Sequence, residues 1–308
     1  MVKAFPWLAA AFFVSGCASE LVLEETNALA VIPHRVSQSG HIIVETTLNG
    51  QGPFEFILDT GSSISVVYEK AARKTSLELV PGKEVLVLGM VGKGHYPVTH
   101  IDQVQVGGET WNDARVAILP DLTPIASPVD GILGLDFLRR YAIWYSHEDR
   151  SMRLYPRQLV QERFYTHWNS IALYDLALSS GNVSVPAISL FIDGVRVRAV
   201  LDLGANVNLM NFAAARSLEI PLPERRKRTE VFGAFGSLVA TTELKVWRLQ
   251  VGSVYWRRRT FLIGDFPVFD ALDLERHPAA LVGTDLFGRR DFVIDFERKR
   301  LLVKSRED

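Results

Sequence analysis

"FILDTGSSISVV", residues 56–67, drives an apolar strand directly into Asp-Thr-Gly-Ser. An ionised carboxylate is costly to place among apolar side chains unless something partners it. The same shape recurs in "AVLDLGANVNLM", residues 199–210, with Asp202 standing where Asp59 stood. In each copy a glycine (Gly61, Gly204) follows two residues after the acid. Such a glycine lets the backbone turn sharply, so that the carboxylate ends the strand close to backbone N–H groups. One half-site of this kind can do little, whereas two facing copies would bring Asp59 and Asp202 together.

The repetition extends well beyond these stretches. Asp202 follows Asp59 by 143 positions. Upstream, a hairpin turn at Asn49-Gly50 matches Asp193-Gly194 at 144; downstream, "LGMVGKG" lies over "FGAFGSL", again at 144. "VQVGG" and "LQVGS" follow at 145, and Gly134 of "GILGLDFLRR" matches Gly283 of "ALVGTDLFGRR" at 149. Blocks that keep their order with so little drift read as a duplicated unit. This places an N-terminal lobe at 32–157, a connector at 158–170 and a C-terminal lobe at 171–305. Each unit is expected to contain a hairpin, a strand ending at the acid, a short helix ("YEKAARKTS", "NFAAARSLE"), a glycine-tipped hairpin, a glycine followed by another short helix, and a closing hairpin.

Composition agrees with an all-β protein carrying a few short helices. Of 308 residues, 48% are hydrophobic and 22% charged, which is the balance of a folded chain long enough for two cores. Val, Ile, Phe and Thr sit in short runs broken by Gly, Asn and Pro, with little helical periodicity. A formal net charge of −1 speaks against a general nucleic-acid surface. The seven histidines show no HxxxH spacing, so no metal site is expected.

Lys3, an apolar stretch at residues 4–14 and "VSGC" at 14–17 form a targeting segment too short to span a bilayer. The pattern resembles the lipobox of bacterial lipoproteins, and Cys17 is the single cysteine of the chain. The resemblance implies a signal peptide at 1–16 that is removed, acylation of Cys17, and a tether at 17–31. It also implies a location in the bacterial cell envelope, facing the periplasm, with Ala18 favouring the outer membrane. The alternative is an ordinary signal peptide with an incidental cysteine. With no second cysteine the fold has no disulfide.

Each unit resembles a retropepsin-like (clan AA) aspartic protease, on the strength of "LDTGSS", the glycine-tipped hairpin and the hydrophobic-hydrophobic-Gly motifs "ILG" (132–134) and "LVG" (281–283). The resemblance implies two tandem closed β-barrel lobes with the site at their interface and Asp59 and Asp202 as catalytic residues. Thr60, Gly61, Ser62, Leu203, Gly204 and Ala205 would support them. Gly89, Gly92, Gly94, Gly233 and Gly236 would form the flaps, and Gly134 and Gly283 the glycines packed beneath the two aspartates. The expected partner is an extended peptide or protein substrate, without cofactor or nucleic acid, acted on by a monomer. The second motif departs from the pattern. Leu203 cannot make the cross-lobe hydrogen bond open to Thr60, and Ala205 cannot offer the hydroxyl that Ser62 could give Asp59. Two alternatives therefore stand beside the single-chain endopeptidase. One is a catalytically degenerate peptide-binding scaffold, and the other an enzyme built from the N-terminal lobes of two chains, a homodimer. Asp130, Asp136 and Asp285 read as caps or surface acids. "ERRKR" (224–228) and "WRRRT" (256–260) read as solvated loop or edge-strand charges.

Overall fold

The computed structural model describes residues 28–89, 92–121, 129–157, 168–179, 183–220, 229–232 and 238–305. The first half contains β1 (Ala30–Val36), β2 (Ile42–Leu48), β3 (Gln51–Leu58), β4 (Val66–Tyr68), α1 (Glu69–Lys74), β5 (Leu79–Gly89), β6 (Gly92–Val106), β7 (Glu109–Leu119), β8 (Gly131–Leu133), α2 (Leu135–Leu138), β9 (Tyr141–Ser146) and β10 (Ser151–Pro156). The second contains β11 (Trp168–Ala172), β12 (Tyr174–Ala177), β13 (Ser184–Ile192), β14 (Val195–Leu201), β15 (Asn208–Met210), α3 (Phe212–Ser217), β16 (Thr229–Phe232), β17 (Leu238–Val251), β18 (Val254–Ile263), α4 (Pro267–Ala271), β19 (Ala279–Val282), α5 (Thr284–Phe287), β20 (Phe292–Asp295) and β21 (Arg300–Lys304).

Six strands close a barrel in the first half, in the order β2-β3-β8-β4-β7-β6 and back to β2. The second half closes in the corresponding order, β13-β14-β19-β15-β18-β17 and back to β13. The fold is thus mostly β, two-lobed and pepsin-like in architecture, with few and short helices. Closure leaves no open edge in either ring. The hairpins that start the barrels turn at Asn49-Gly50 and Asp193-Gly194, all four residues with positive φ, the conformation a tight two-residue hairpin demands.

The strands that lead to the acids explain their own sequences. Along β14 the early residues alternate between interior and solvent, but Ala199, Val200 and Leu201 are all buried. At that end β19 runs parallel beside β14, and both faces of the strand are covered, so the alternation gives way to a continuous apolar run. β3 and β8 repeat the arrangement, with Phe56, Ile57 and Leu58 buried against Gly131, Ile132 and Leu133. The acid therefore follows a fully covered strand end.

The lobes are joined by a six-stranded sheet, β11-β21-β20-β9-β10-β1, to which each half gives three strands. At its centre β9 meets β20 antiparallel, and Tyr145 stacks on Phe292 with ring centroids 4.8 Å apart. The Tyr145 hydroxyl reaches across to donate to the Gly288 carbonyl at 2.9 Å. Two boundaries differ from the sequence reading. β1 begins at Ala30, inside the stretch expected to be tether, because Ala30 pairs with Leu154 of β10. Residues 168–170, expected to be connector, belong to β11 and pair with β21. α4 was not anticipated, since a five-residue helix carries too little periodicity to register. Cys17 and the segment before it, residues 158–167 and "ERRKR" lie outside the described residues.

Candidate active site

Asp59 and Asp202 occupy equivalent places at the ends of β3 and β14. The Asp59 N–H donates to the Leu133 carbonyl at 3.0 Å, and the Asp202 N–H to the Val282 carbonyl at 2.9 Å. The two loops meet across the lobe boundary, each glycine packed against the opposite carboxyl group, and the two carboxyl groups lie close enough to perturb each other's ionisation. The pair thus forms within one chain.

The glycines act differently from the expectation. Neither Gly61 nor Gly204 has a left-handed φ, so neither is needed for a special turn. Each is needed because the opposite aspartate occupies the space of its missing side chain. A Cβ on Gly61 would lie 2.5 Å from Asp202 Cγ, and one on Gly204 would lie 2.4 Å from Asp59 Cγ. Close approach of backbone to carboxylate is what glycine supplies here. Gly134 and Gly283 do the same one layer below. A Cβ on Gly134 would meet the Ile64 backbone at 2.7 Å, and one on Gly283 would meet the Asp202 carbonyl oxygen at 2.1 Å.

Thr60 ties the lobes together as expected. Its hydroxyl donates to the Leu201 carbonyl at 2.7 Å and accepts from the Leu203 N–H at 3.0 Å. Leu203 is buried and has no side-chain polar atom to reciprocate, so the clasp is one-sided. Ser62 corrects the sequence reading. Its hydroxyl donates to the Ile64 carbonyl at 2.7 Å and does not serve Asp59. The backbone does that work: the Gly61 and Ser62 N–H groups donate to Asp59 Oδ1 at 2.7 and 3.0 Å. Asp202 Oδ1 accepts from the Gly204 N–H at 2.9 Å.

The two carboxyl groups differ in their surroundings. Burial raises both carboxyl pKa values above the ordinary range. For Asp59 the carboxyl group of Asp202 and the hydrogen bonds from Gly61 and Ser62 oppose that rise. For Asp202 the neighbouring charge and carboxyl group of Asp59 add to it, the Gly204 and Ala205 N–H groups oppose it, and Asp202 is held well above the ordinary carboxylate range. Asp202 is also the more enclosed, at 5% exposure, while Asp59 is only half-buried. Two like groups this close titrate as a unit.

A supporting layer was missed by the sequence reading. Asp136 was read as a cap or surface acid, but it accepts from the Ser65 N–H at 2.9 Å and the Ser65 hydroxyl at 2.6 Å. The Ser65 hydroxyl in turn accepts from the Gly134 N–H at 2.9 Å. Burial raises the Asp136 pKa, against these hydrogen bonds. In the second lobe the Asn208 amide donates to Asp285 at 2.6 Å and to the Thr260 carbonyl at 3.1 Å. Asp130 pins β3, accepting from the Glu55 N–H at 2.9 Å. The signal for these pairs was available, since Ser65 and Asn208 fall at the 143 offset and Asp136 and Asp285 at 149. Tyr68 was also passed over. Its hydroxyl is buried with no hydrogen-bond partner among the described residues, and burial, with the charge of Asp59 second, raises its pKa strongly.

The first flap is the hairpin of β5 and β6, which brings Gly89 opposite Gly92 and leads through Gly94. A Cβ on Gly94 would strike the Tyr96 ring at 2.8 Å. Its counterpart is the hairpin of β16 and β17, whose tip, with Gly233 and Gly236, lies outside the described residues. Val85, Val87 and Tyr96 of the first hairpin pack on Tyr68, Ile64 and Ile132, an apolar bed beside Asp59. Among the described residues no cluster of three or more His, Cys, Asp or Glu is placed to hold a metal ion.

These features define a two-lobed, closed-barrel protein with paired aspartates at the lobe boundary. A family model described as aspartyl protease matches residues 44–137, the span from β2 into α2 that carries Asp59 and its flap. No curated protein matches the chain.

Proposed function

We propose that the chain is a single-chain aspartic endopeptidase in which Asp59 and Asp202 together activate a water molecule. The observation that carries this reading is the close approach of two aspartates from different lobes, each packed against the glycine of the other's loop, which leaves it room. A pair sharing one proton holds an acid and a base at once. Asp59, the less enclosed of the two, is the ionised member and takes a proton from the water. Asp202 holds the shared proton and donates to the substrate carbonyl, stabilising the tetrahedral oxygen that forms. The peptide lies extended beneath the β5–β6 hairpin, whose backbone pairs with it in β fashion. No covalent intermediate is required.

The one-sided Thr60 clasp fits this role, since the six-stranded joint sheet already fixes the lobes. The intramolecular pairing of Asp59 with Asp202 favours a monomer over a site made between two chains. We further propose that residues 1–16 are a signal peptide and that acylated Cys17 tethers the enzyme in the bacterial cell envelope, facing the periplasm, where the substrates are envelope peptides or proteins. The activity is tested by incubating the purified chain with a diverse peptide library at acid to neutral pH and reading new termini by mass spectrometry. Cleavage supports the proposal, and binding without cleavage would favour the scaffold.

A further inference from the structure

The run "WRRRT" lies in β18 and, among the described residues, pairs along 256–260 with β17 alone, β15 joining only from Phe261 onward, so the run has the one-sided pairing of an edge. Its side chains alternate between the core and the outer wall. Trp256 is buried, while Tyr255 and Arg257 point outward. Register then assembles a surface from residues far apart in sequence. Arg196, Phe191, Gln250 and Tyr255 form one rung across four strands. The next rung sets Arg248 directly opposite Arg257. Beside it Trp247, 64% exposed, lies under the Arg258 guanidinium, 5.3 Å from the ring centroid. Tyr255 is 53% and Phe191 38% exposed.

Two features make this wall more than ordinary surface. Like charges directly opposite on neighbouring strands are destabilising, and among the described residues no carboxylate forms an ion pair with Arg196, Arg198, Arg248, Arg257 or Arg258. The fold does not demand it either. The matching rungs of the first barrel are Thr47–Gln105–Thr110 and Gln103–Asn112, all neutral and polar. At these rungs basic and aromatic character belongs to the second barrel and not the first.

We infer that this wall docks on an anionic phospholipid surface. Arginines meet the headgroup phosphates, while Trp247, Tyr255 and Phe191 seat at the boundary between headgroups and acyl chains, where amphipathic rings are favoured. A membrane fits better than a nucleic acid because the wall is the convex outside of a barrel and the chain as a whole carries a net charge of −1. The inference is independent of catalysis and of acylation at Cys17. If Cys17 is acylated, the wall would set the orientation of the body against the membrane.

The test is sedimentation of full-length Cys17→Ser protein with phosphatidylcholine vesicles containing or lacking phosphatidylglycerol. Binding to the anionic vesicles alone, weakening as salt is raised, is the expected result. Each arginine at such a surface is worth roughly a factor of 5 in partitioning, so Arg248→Gln with Arg257→Gln should weaken binding roughly 25-fold. Trp247→Ala with Tyr255→Ala should weaken it too and leave the residue more salt-sensitive. Unchanged circular dichroism in both variants would show that the barrel stands. Equal binding to both vesicle types, no binding at low salt, or binding indifferent to the arginine pair would overturn the inference. Tight binding of a random oligonucleotide without vesicle binding would overturn it as well.

Discussion

Thr60→Val isolates a side chain that hydrogen-bonds across the floor of the site, from the first lobe to Leu201 and Leu203 of the second. The substitution keeps the shape of the residue and removes its hydroxyl. The Leu201 carbonyl and the Leu203 N–H, now 2.7 and 3.0 Å from that hydroxyl, would be left buried without a partner. Stranding a buried polar group costs about 1–3 kcal/mol, so stranding the pair costs about 2–6 kcal/mol. A fully reciprocal clasp would keep a second threonine in reserve, but Leu203 offers none. With about 2–4 °C per kcal/mol for domains of this size, Tm should fall by about 4–24 °C. The assay is thermal unfolding followed by circular dichroism, with Thr60→Ser as control. The serine keeps both hydrogen bonds and loses one methyl group, a cost of about 1 kcal/mol. A valine variant no less stable than the serine variant would refute the reasoning.

Further expectations concern geometry, pH and location. Gly204→Ala would place a methyl group 2.4 Å from Asp59 Cγ. The chain should fold but separate its carboxyl groups, lowering kcat about 100-fold, the usual consequence of a displacement near 1 Å; near-normal turnover would contradict the close-approach account. Both dyad pKa values are raised in the folded state. Their favourable contribution is therefore complete below the unfolded carboxylate value, near 4, and is lost as pH rises through the folded values. Asp202→Asn removes most of that loss, so its stability relative to wild type should grow with pH across this window, by about 1.4 kcal/mol per unit of raised pKa. Urea unfolding at several pH values would read it, and a pH-independent difference would count against the pair. Cys17→Ser should move the protein from the membrane to the soluble fraction when cell fractions are blotted in salt high enough to screen surface charge; unchanged membrane association would remove the anchor.

The fold was legible because duplication made each half an internal control for the other. The hairpin turns, the strands ending at Asp59 and Asp202, and the short helices α1, α2, α3 and α5 all stood at matched offsets. Pairing across the lobes was less legible. The joint sheet takes β11 from what read as a connector, since a lone five-residue strand has no local signature until β21 receives it. At the site, residue types pointed to the right atoms for partly wrong reasons. Ser62 serves Asp59 through its backbone N–H while its hydroxyl turns to Ile64. Gly61 and Gly204 yield space and not a left-handed turn. Sequence specifies that a hydroxyl or a glycine is present; which neighbour claims it depends on packing in three dimensions. "WRRRT" reads as edge charge and, among the described residues, pairs on one side only, with β17, but which residues of β13, β14 and β17 stand beside it emerges only from the register.

The central claim is that Asp59 and Asp202 act as one unit with unequal roles. Its most direct test is the rate of peptide hydrolysis by Asp59→Asn and Asp202→Asn beside wild type, on one substrate, with peptide affinity measured in parallel. The account predicts no hydrolysis from Asp59→Asn, which removes the base. For Asp202→Asn, where the amide stands in for a protonated partner, it predicts retained binding and at most a trace of turnover. Full activity in Asp202→Asn would contradict the account and return the site to a pairing of N-terminal lobes from two chains. Activity in Asp59→Asn would contradict it outright.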